Sequence, residues 1–71
     1  MSLVVDAQVT GRVVRVEKQV GDKVDVEETL MVLESMKMEI PVEAPSAGTV
    51  SEIRVGVGDS VEEGDPLAVL D

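Results

Sequence analysis

An all-β domain built from two copies of one strand unit is the fold class this sequence predicts, on three observations. Sixteen of the 71 residues are Val, and branching at the β-carbon restricts χ1 in a helix while suiting the pleated surface of a strand. Phe, Trp and Tyr are absent although 44% of the residues are hydrophobic, so the interior must be assembled from aliphatic side chains. The chain also repeats itself: shifted by 37 residues, residues 1 to 34 align with residues 38 to 71 without a gap.

With Met1 against Met38 set aside, eleven of the 33 aligned positions are identical, among them Val5/Val42, Ala7/Ala44, Gly11/Gly48, Val13/Val50, Gly21/Gly58, Asp22/Asp59, Val24/Val61 and Leu33/Leu70. Helical solenoids usually need three or more units with helical periodicity, whereas two Val-rich units can close on each other. The expectation is therefore one domain spanning residues 1 to 71 with internal quasi-two-fold symmetry. The joint between the copies, Ser35-Met36-Lys37, should lie at one pole of the pseudo-axis and the chain termini should meet at the other.

The elements follow in order. A first strand is expected over residues 3 to 7 and its mate over residues 39 to 44, where Pro41 is tolerated only at a sheet edge or strand start. The next strands begin at Gly11 and Gly48. Their repeated apolar positions, Val13 with Val16 and Val50 with Ile53, are spaced by three, and a bulge or bend would return both side chains to the core. Val20-Gly21-Asp22-Lys23-Val24 and Val57-Gly58-Asp59-Ser60-Val61 read as turns, with Gly supplying positive φ and Asp bonding nearby amides. No further ligands cluster with these Asp residues at a calcium-loop spacing, and no metal site is expected. Residues 30 to 33 and 67 to 70 form the last strands, buried between two short sheets packed face to face.

Two strand-like runs, Leu30 to Ser35 and Met38 to Val42, are separated by almost nothing, so residues 36 and 37 must occupy or adjoin a tight hairpin tip. Met-Lys is a poor choice there, because Asn, Asp and Gly are what normally relieve positive φ. A local preference abandoned at one spot suggests that another molecule reads that spot. Met36 and Met38 flank the lysine either as recognition surface or as flexible core filler; for Met31, inside a strand, core filler is the expected role. Lys37 itself is either an ordinary surface lysine or the functional group of the domain.

Fifteen acidic against six basic residues give a net charge of −9. Phosphate backbones and anionic lipids would repel such a chain, and it lacks basic clusters and aromatic stacking platforms, so neither nucleic acid nor membrane is an expected partner. The acidity serves solubility, steering toward a basic enzyme surface, or both. No stretch approaches the roughly 18 apolar residues of a membrane span, and Met1-Ser2-Leu3-Val4-Val5-Asp6 lacks a basic region followed by a long apolar run. A cytoplasmic protein, monomeric when isolated, is expected. With no His, no Cys and five Ser that have no evident base, catalysis by the chain itself is not expected.

Glu34-Ser35-Met36-Lys37-Met38-Glu39 resembles the biotin-acceptor motif of the biotinyl/lipoyl attachment domain family, and the likeness runs the length of the chain. Similar features are the Gly-Asp-x-Val turns at Gly21 and Gly58, the Ala-Pro-x-x-Gly element from Ala44 to Gly48, and Val-Glu-Glu-Gly-Asp-x-Leu from Val61 to Leu67. The resemblance implies a flattened barrel of two four-stranded antiparallel sheets with a modified lysine, Lys37, on a protruding hairpin. Lipoyl domains usually have Asp before the lysine and Ala after it, so Met-Lys-Met resembles the biotin branch. The family likeness further implies that Gly21 shapes the loop beside the hairpin. It assigns Glu34, with Ser35, Met36, Met38 and Glu39, to recognition by modifying enzymes.

The sequence departs from the pattern at three points. Glu27 stands where the second copy has Gly64, so either the first turn differs or Glu27 accepts a backbone costing about 1 kcal/mol. Gln8 stands where the second copy has Pro45, leaving the first strand less constrained. The protruding loop of one bacterial carrier subtype is missing, which makes the chain similar to short stand-alone carriers or to the carrier domain of a larger carboxylase.

The expected function is a biotin carboxyl carrier. The partners implied are a biotin protein ligase, a biotin carboxylase and a carboxyltransferase acting on an acyl-CoA or keto acid. A lipoyl carrier and an unmodified docking module are the alternatives.

Overall fold

The computed structural model describes residues 2–71. Eight strands follow in the order β1 (Leu3–Asp6), β2 (Gly11–Val16), β3 (Lys23–Val24), β4 (Thr29–Ser35), β5 (Met38–Glu43), β6 (Gly48–Ile53), β7 (Ser60–Val61) and β8 (Pro66–Leu70). They form two four-stranded antiparallel sheets, ordered β1-β8-β6-β3 and β5-β4-β2-β7. Advancing each residue by 37 carries β1 onto β5, β2 onto β6, β3 onto β7 and β4 onto β8, so the repeat exchanges one sheet for the other.

The interior shows the same exchange. Val5, Ala7, Val13, Val24, Leu30, Met31 and Leu33 pack with Val42, Ala44, Val50, Val61, Leu67, Ala68 and Leu70, each first-copy residue having its mate in the second set. Burying each Val or Leu is worth about 1.5–3 kcal/mol, and with no aromatic ring available the core is summed from these aliphatic increments. Met31 opposite Ala68 is the one pair of unequal bulk, and Met31 is buried as expected for a core filler.

The predicted irregularity in the second strands is present in both copies. Register skips a residue between Val13 and Arg15 against β4, and between Val50 and Glu52 against β8. Pro41 lies on β5, an edge strand, where no ladder partner needs its missing N–H. Residues 23–24 and 60–61, expected as turn, are instead short strands: Lys23 pairs with Thr49 and Ser60 with Arg12. Burial of Val24 and Val61 in the core draws these residues out of the turn and onto the sheets.

Four reciprocal boxes brace the loops. In each, a carboxylate accepts from the backbone N–H three residues earlier, and its own N–H donates back to that residue's carbonyl. The pairs are Gln19 with Asp22, Asp25 with Glu28, Gly56 with Asp59 and Glu62 with Asp65, all with side-chain bonds of 2.8 Å. Four of the fifteen acidic side chains are thereby engaged in making turns. Glu27 has φ 69° where its mate Gly64 has φ 93°, so the first turn keeps the geometry of the second and the glutamate adopts the disfavoured backbone.

Candidate functional site: the Met36-Lys37 hairpin

Among the described residues, β4 and β5 are the only consecutive strands that share a sheet. Every other connection crosses from one sheet to the other, and this alone allows a two-residue turn. Ser35 pairs with Met38, leaving Met36 and Lys37 as the tip. Their φ values are 53° and 66°, the signature of a type I′ turn, whose twist matches the strands but asks two L-residues with side chains to sit in the left-handed region. Each such residue costs roughly 1–2 kcal/mol relative to ordinary backbone. Six residue pairs of the β4–β5 ladder impose it.

The strain places Lys37 in solvent between two apolar side chains that are themselves outside the core, Met36 at 90% and Met38 at 61% exposure. Among the described residues no carboxylate lies within ion-pair distance of the Lys37 ammonium. An exposed primary amine without a salt-bridge partner, on the tip of a rigid hairpin, fits covalent attachment of an acyl group.

Below the tip, Glu34 and Glu39 face each other directly across the hairpin, an arrangement that like charges disfavour. Arg15 on β2 relieves it by reaching across β4 to Glu39, Nη2 to Oε1 3.0 Å, while Glu34 has Arg12 as its neighbour in register on the other side. Arg15 also lies over Val32. Met31 and Leu33 point into the core, so Val32 faces outward by strand alternation. It is nonetheless 5% exposed, because its register neighbours Arg15 and Pro41 cover it.

Ser35 is half-buried at the last pair of the ladder. A side chain at Gly11 would overlap the Glu34 carbonyl oxygen, so β2 approaches the base of the tip at a distance only glycine permits. Its mate Gly48 approaches the Asp71 carbonyl oxygen in the same way, close enough that an added β-carbon would fall 2.7 Å from it.

Gly21 does not lie beside the hairpin. Its N–H donates to the Val50 carbonyl, and Val50 pairs with Leu70 near the chain terminus. The loop beside the hairpin belongs to Gly58, whose N–H donates to Val13, the partner of Leu33. The two-fold sets equivalent loops at opposite ends, so the first-copy glycine serves the terminal end and the second-copy glycine serves the tip. Arg15 and Gly58 are contributors that the acceptor motif does not announce; the Gly21/Gly58 identity is the available signal for the latter.

The chain as a whole is similar to known proteins. A family model described as biotin-requiring enzyme, of the biotin/lipoyl type, matches residues 1–70. A biotinylated protein TB7.3 homolog of Mycobacterium leprae (strain TN) is 46% identical over 66 residues, 93% of each chain. The acetyltransferase component of the pyruvate dehydrogenase complex of Mycoplasma genitalium, a dihydrolipoyllysine-residue protein, is 43% identical over 84% of this chain and 16% of its own. In structure, the urea carboxylase of Kluyveromyces lactis superposes with a TM-score of 0.95 at 34% identity, over 100% of this chain and 6% of that one. Whole-length likeness to small proteins thus coexists with likeness to single segments of multidomain enzymes. With the family model matching residues 1–70 and a relative 46% identical over 93% of each chain, the chain belongs to the biotin/lipoyl attachment family.

Proposed function

We propose that this chain is a biotin carboxyl carrier whose Lys37 receives biotin from a biotin protein ligase. The observation that carries the reading is the Met36-Lys37-Met38 tip, where a strained turn holds two exposed methionines beside an exposed amine. Acylation joins Nζ of Lys37 to the carboxyl carbon of an activated biotin, expelling the activating group as its leaving group. Amide formation also strips a proton from the attacking nitrogen, and the ligase must take it up. When bound, biotin supplies a ureido nitrogen that accepts a carboxyl group at one enzyme site and gives it up at another.

The chain's own residues supply the tether and its aim. Lys37 holds the cofactor on a stiff hairpin, raising its effective concentration at both enzyme sites to the millimolar range, on the order of what short flexible linkers give. Glu34, Ser35, Met36, Met38 and Glu39 form the surface the ligase reads, and the biotin carboxylase and carboxyltransferase are the enzymes that use the product. The likeness to urea carboxylase supports a carboxylase setting, and the likeness to a dihydrolipoyllysine-residue protein supports lipoylation as the competing modification.

Intact-mass measurement of the chain coexpressed with a biotin ligase or with a lipoyl ligase separates the two. One biotinyl adduct, streptavidin capture, and loss of both in Lys37→Ala are the expected results. A lipoyl-sized adduct, or streptavidin capture retained by Lys37→Ala, would overturn the reading.

A further inference from the structure

Three methionines lie among the described residues, and the fold sorts them by access. Met31 is 1% exposed within β4, whereas Met36 is 90% and Met38 61% exposed on either side of Lys37. Neither tip methionine belongs to the core. Their setting offers no shelter, because the turn that carries them lies at the end of the β4–β5 ladder.

The rest of the chain sharpens the contrast. It contains no Cys, His, Trp or Tyr, so methionine sulfur is the side-chain atom most open to a mild two-electron oxidant. Among the described residues, both methionines outside the core are the immediate neighbours of Lys37. An oxidant that reaches the folded chain therefore finds its targets on the described surface at the acceptor tip.

We propose that Met36 and Met38 form a redox-modifiable site, oxidised by hydrogen peroxide to methionine sulfoxide, and that the oxidised tip is a poorer acceptor of biotin. The proposal rests on the reading above that these two side chains are part of the surface the ligase recognises. In each oxidation the sulfur lone pair attacks one peroxide oxygen, and an S–O bond forms as the O–O bond breaks. The departing hydroxide takes the proton of the transferred oxygen and leaves as water; sulfur gives up two electrons and the peroxide takes them. A dithiol-dependent methionine sulfoxide reductase reverses the change. The sulfoxide oxygen is a hydrogen-bond acceptor that holds water, so apolar contact with a partner is weakened. The fold is spared, because both side chains lie outside the core, and the Lys37 amine is untouched. At Met31 the same oxygen would enter the core without a partner.

The test treats the full 71-residue chain, not yet biotinylated, with hydrogen peroxide, desalts it and maps each methionine by peptide mass. Met36 and Met38 should each gain one oxygen before Met31 gains any, with the midpoint of denaturant unfolding unchanged. Ligation kinetics with a biotin ligase should then show KM for the chain raised roughly two- to tenfold, the scale of one lost methionine contact, at little-changed kcat. Methionine sulfoxide reductase should restore the original KM. The Met36→Leu/Met38→Leu chain, whatever its own rate, should be ligated equally before and after peroxide. Oxidation of Met31 in step with the tip, a lowered unfolding midpoint, or identical KM for oxidised and unoxidised chains would overturn the proposal while leaving biotinylation intact. Failure of the untreated chain to take biotin would overturn the functional reading instead.

Discussion

Arg15 holds Glu39 from two strands away, Nη2 to Oε1 3.0 Å, passing over Val32 on β4. One side chain thereby pairs with the carboxylate two residues after Lys37, leaves Glu34 before it without an ion pair among the described residues, and shields an outward-facing valine.

Replacing Arg15 by Gln should lower stability by about 0.5 kcal/mol, the scale of a half-exposed ion pair, and Arg15→Ala by more, since Val32 loses the covering stem. Chemical denaturation reads both values. In ligation kinetics Arg15→Gln should raise KM with kcat unchanged, and Arg15→Gln/Glu39→Gln should recover most of the loss. An additive double-mutant cycle would show that the two side chains act separately.

Relieving the tip should stabilise the fold at the expense of its use. Met36→Asn places a residue that tolerates positive φ where methionine now sits at 53°, and a gain of about 0.5–1 kcal/mol is expected. The midpoint of denaturant unfolding should rise while biotin transfer to Lys37 slows. Equal transfer rates would remove Met36 from the recognition surface.

Gly11→Ala should destabilise by roughly 1–3 kcal/mol, the usual range for forcing an extra carbon into a packed site, because its methyl group meets backbone rather than a movable side chain. Gly48→Ala repeats the clash against the Asp71 carbonyl oxygen at 2.7 Å, a less severe overlap than the one at Gly11. A smaller loss at Gly48 is therefore expected, measured as the difference between the two unfolding midpoints.

Lys18 and Glu28 form an ion pair that links the β2–β3 loop to the turn before β4. The hydrogen bond from Lys18, followed by that from the Asp25 N–H, holds the Glu28 carboxyl below its ordinary value of 4.5. The same hydrogen bond to Glu28 holds Lys18 above 10.5. Stability from the pair is present at neutral pH. It is lost on the acid side as pH falls through the lowered Glu28 value, and on the alkaline side as pH rises through the raised Lys18 value. Glu28→Gln should flatten both limbs of a stability–pH curve, and an unchanged acid limb would show that other carboxylates carry it.

The repeat makes most of the architecture legible: identical positions such as Val13/Val50 and Leu33/Leu70 are core mates, and the joint at Ser35-Met36-Lys37 is the one two-residue hairpin among the described residues. Local reading fails where two residues act only through a distant partner. Lys23–Val24 and Ser60–Val61 look like the ends of turns until Thr49 and Arg12 pair with them. Gly21 is expected beside the hairpin only from the family likeness, and the two-fold sends its loop to the far end. The Arg15–Glu39 contact spans 24 residues and depends on the bulge after Val13, which no sequence spacing reveals.

Leu3 pairs with Leu70, and the Ser2 hydroxyl donates to Asp71 at 2.8 Å, so entry and exit of the chain are side by side, while the turn at Lys37 closes the other end of a body 32 Å long and 17 Å across. Such a body behaves as a plug-in cartridge. It can be spliced into a surface loop of a host through one narrow neck, or circularly permuted there, with the Lys37 turn projecting a full molecular length from the splice.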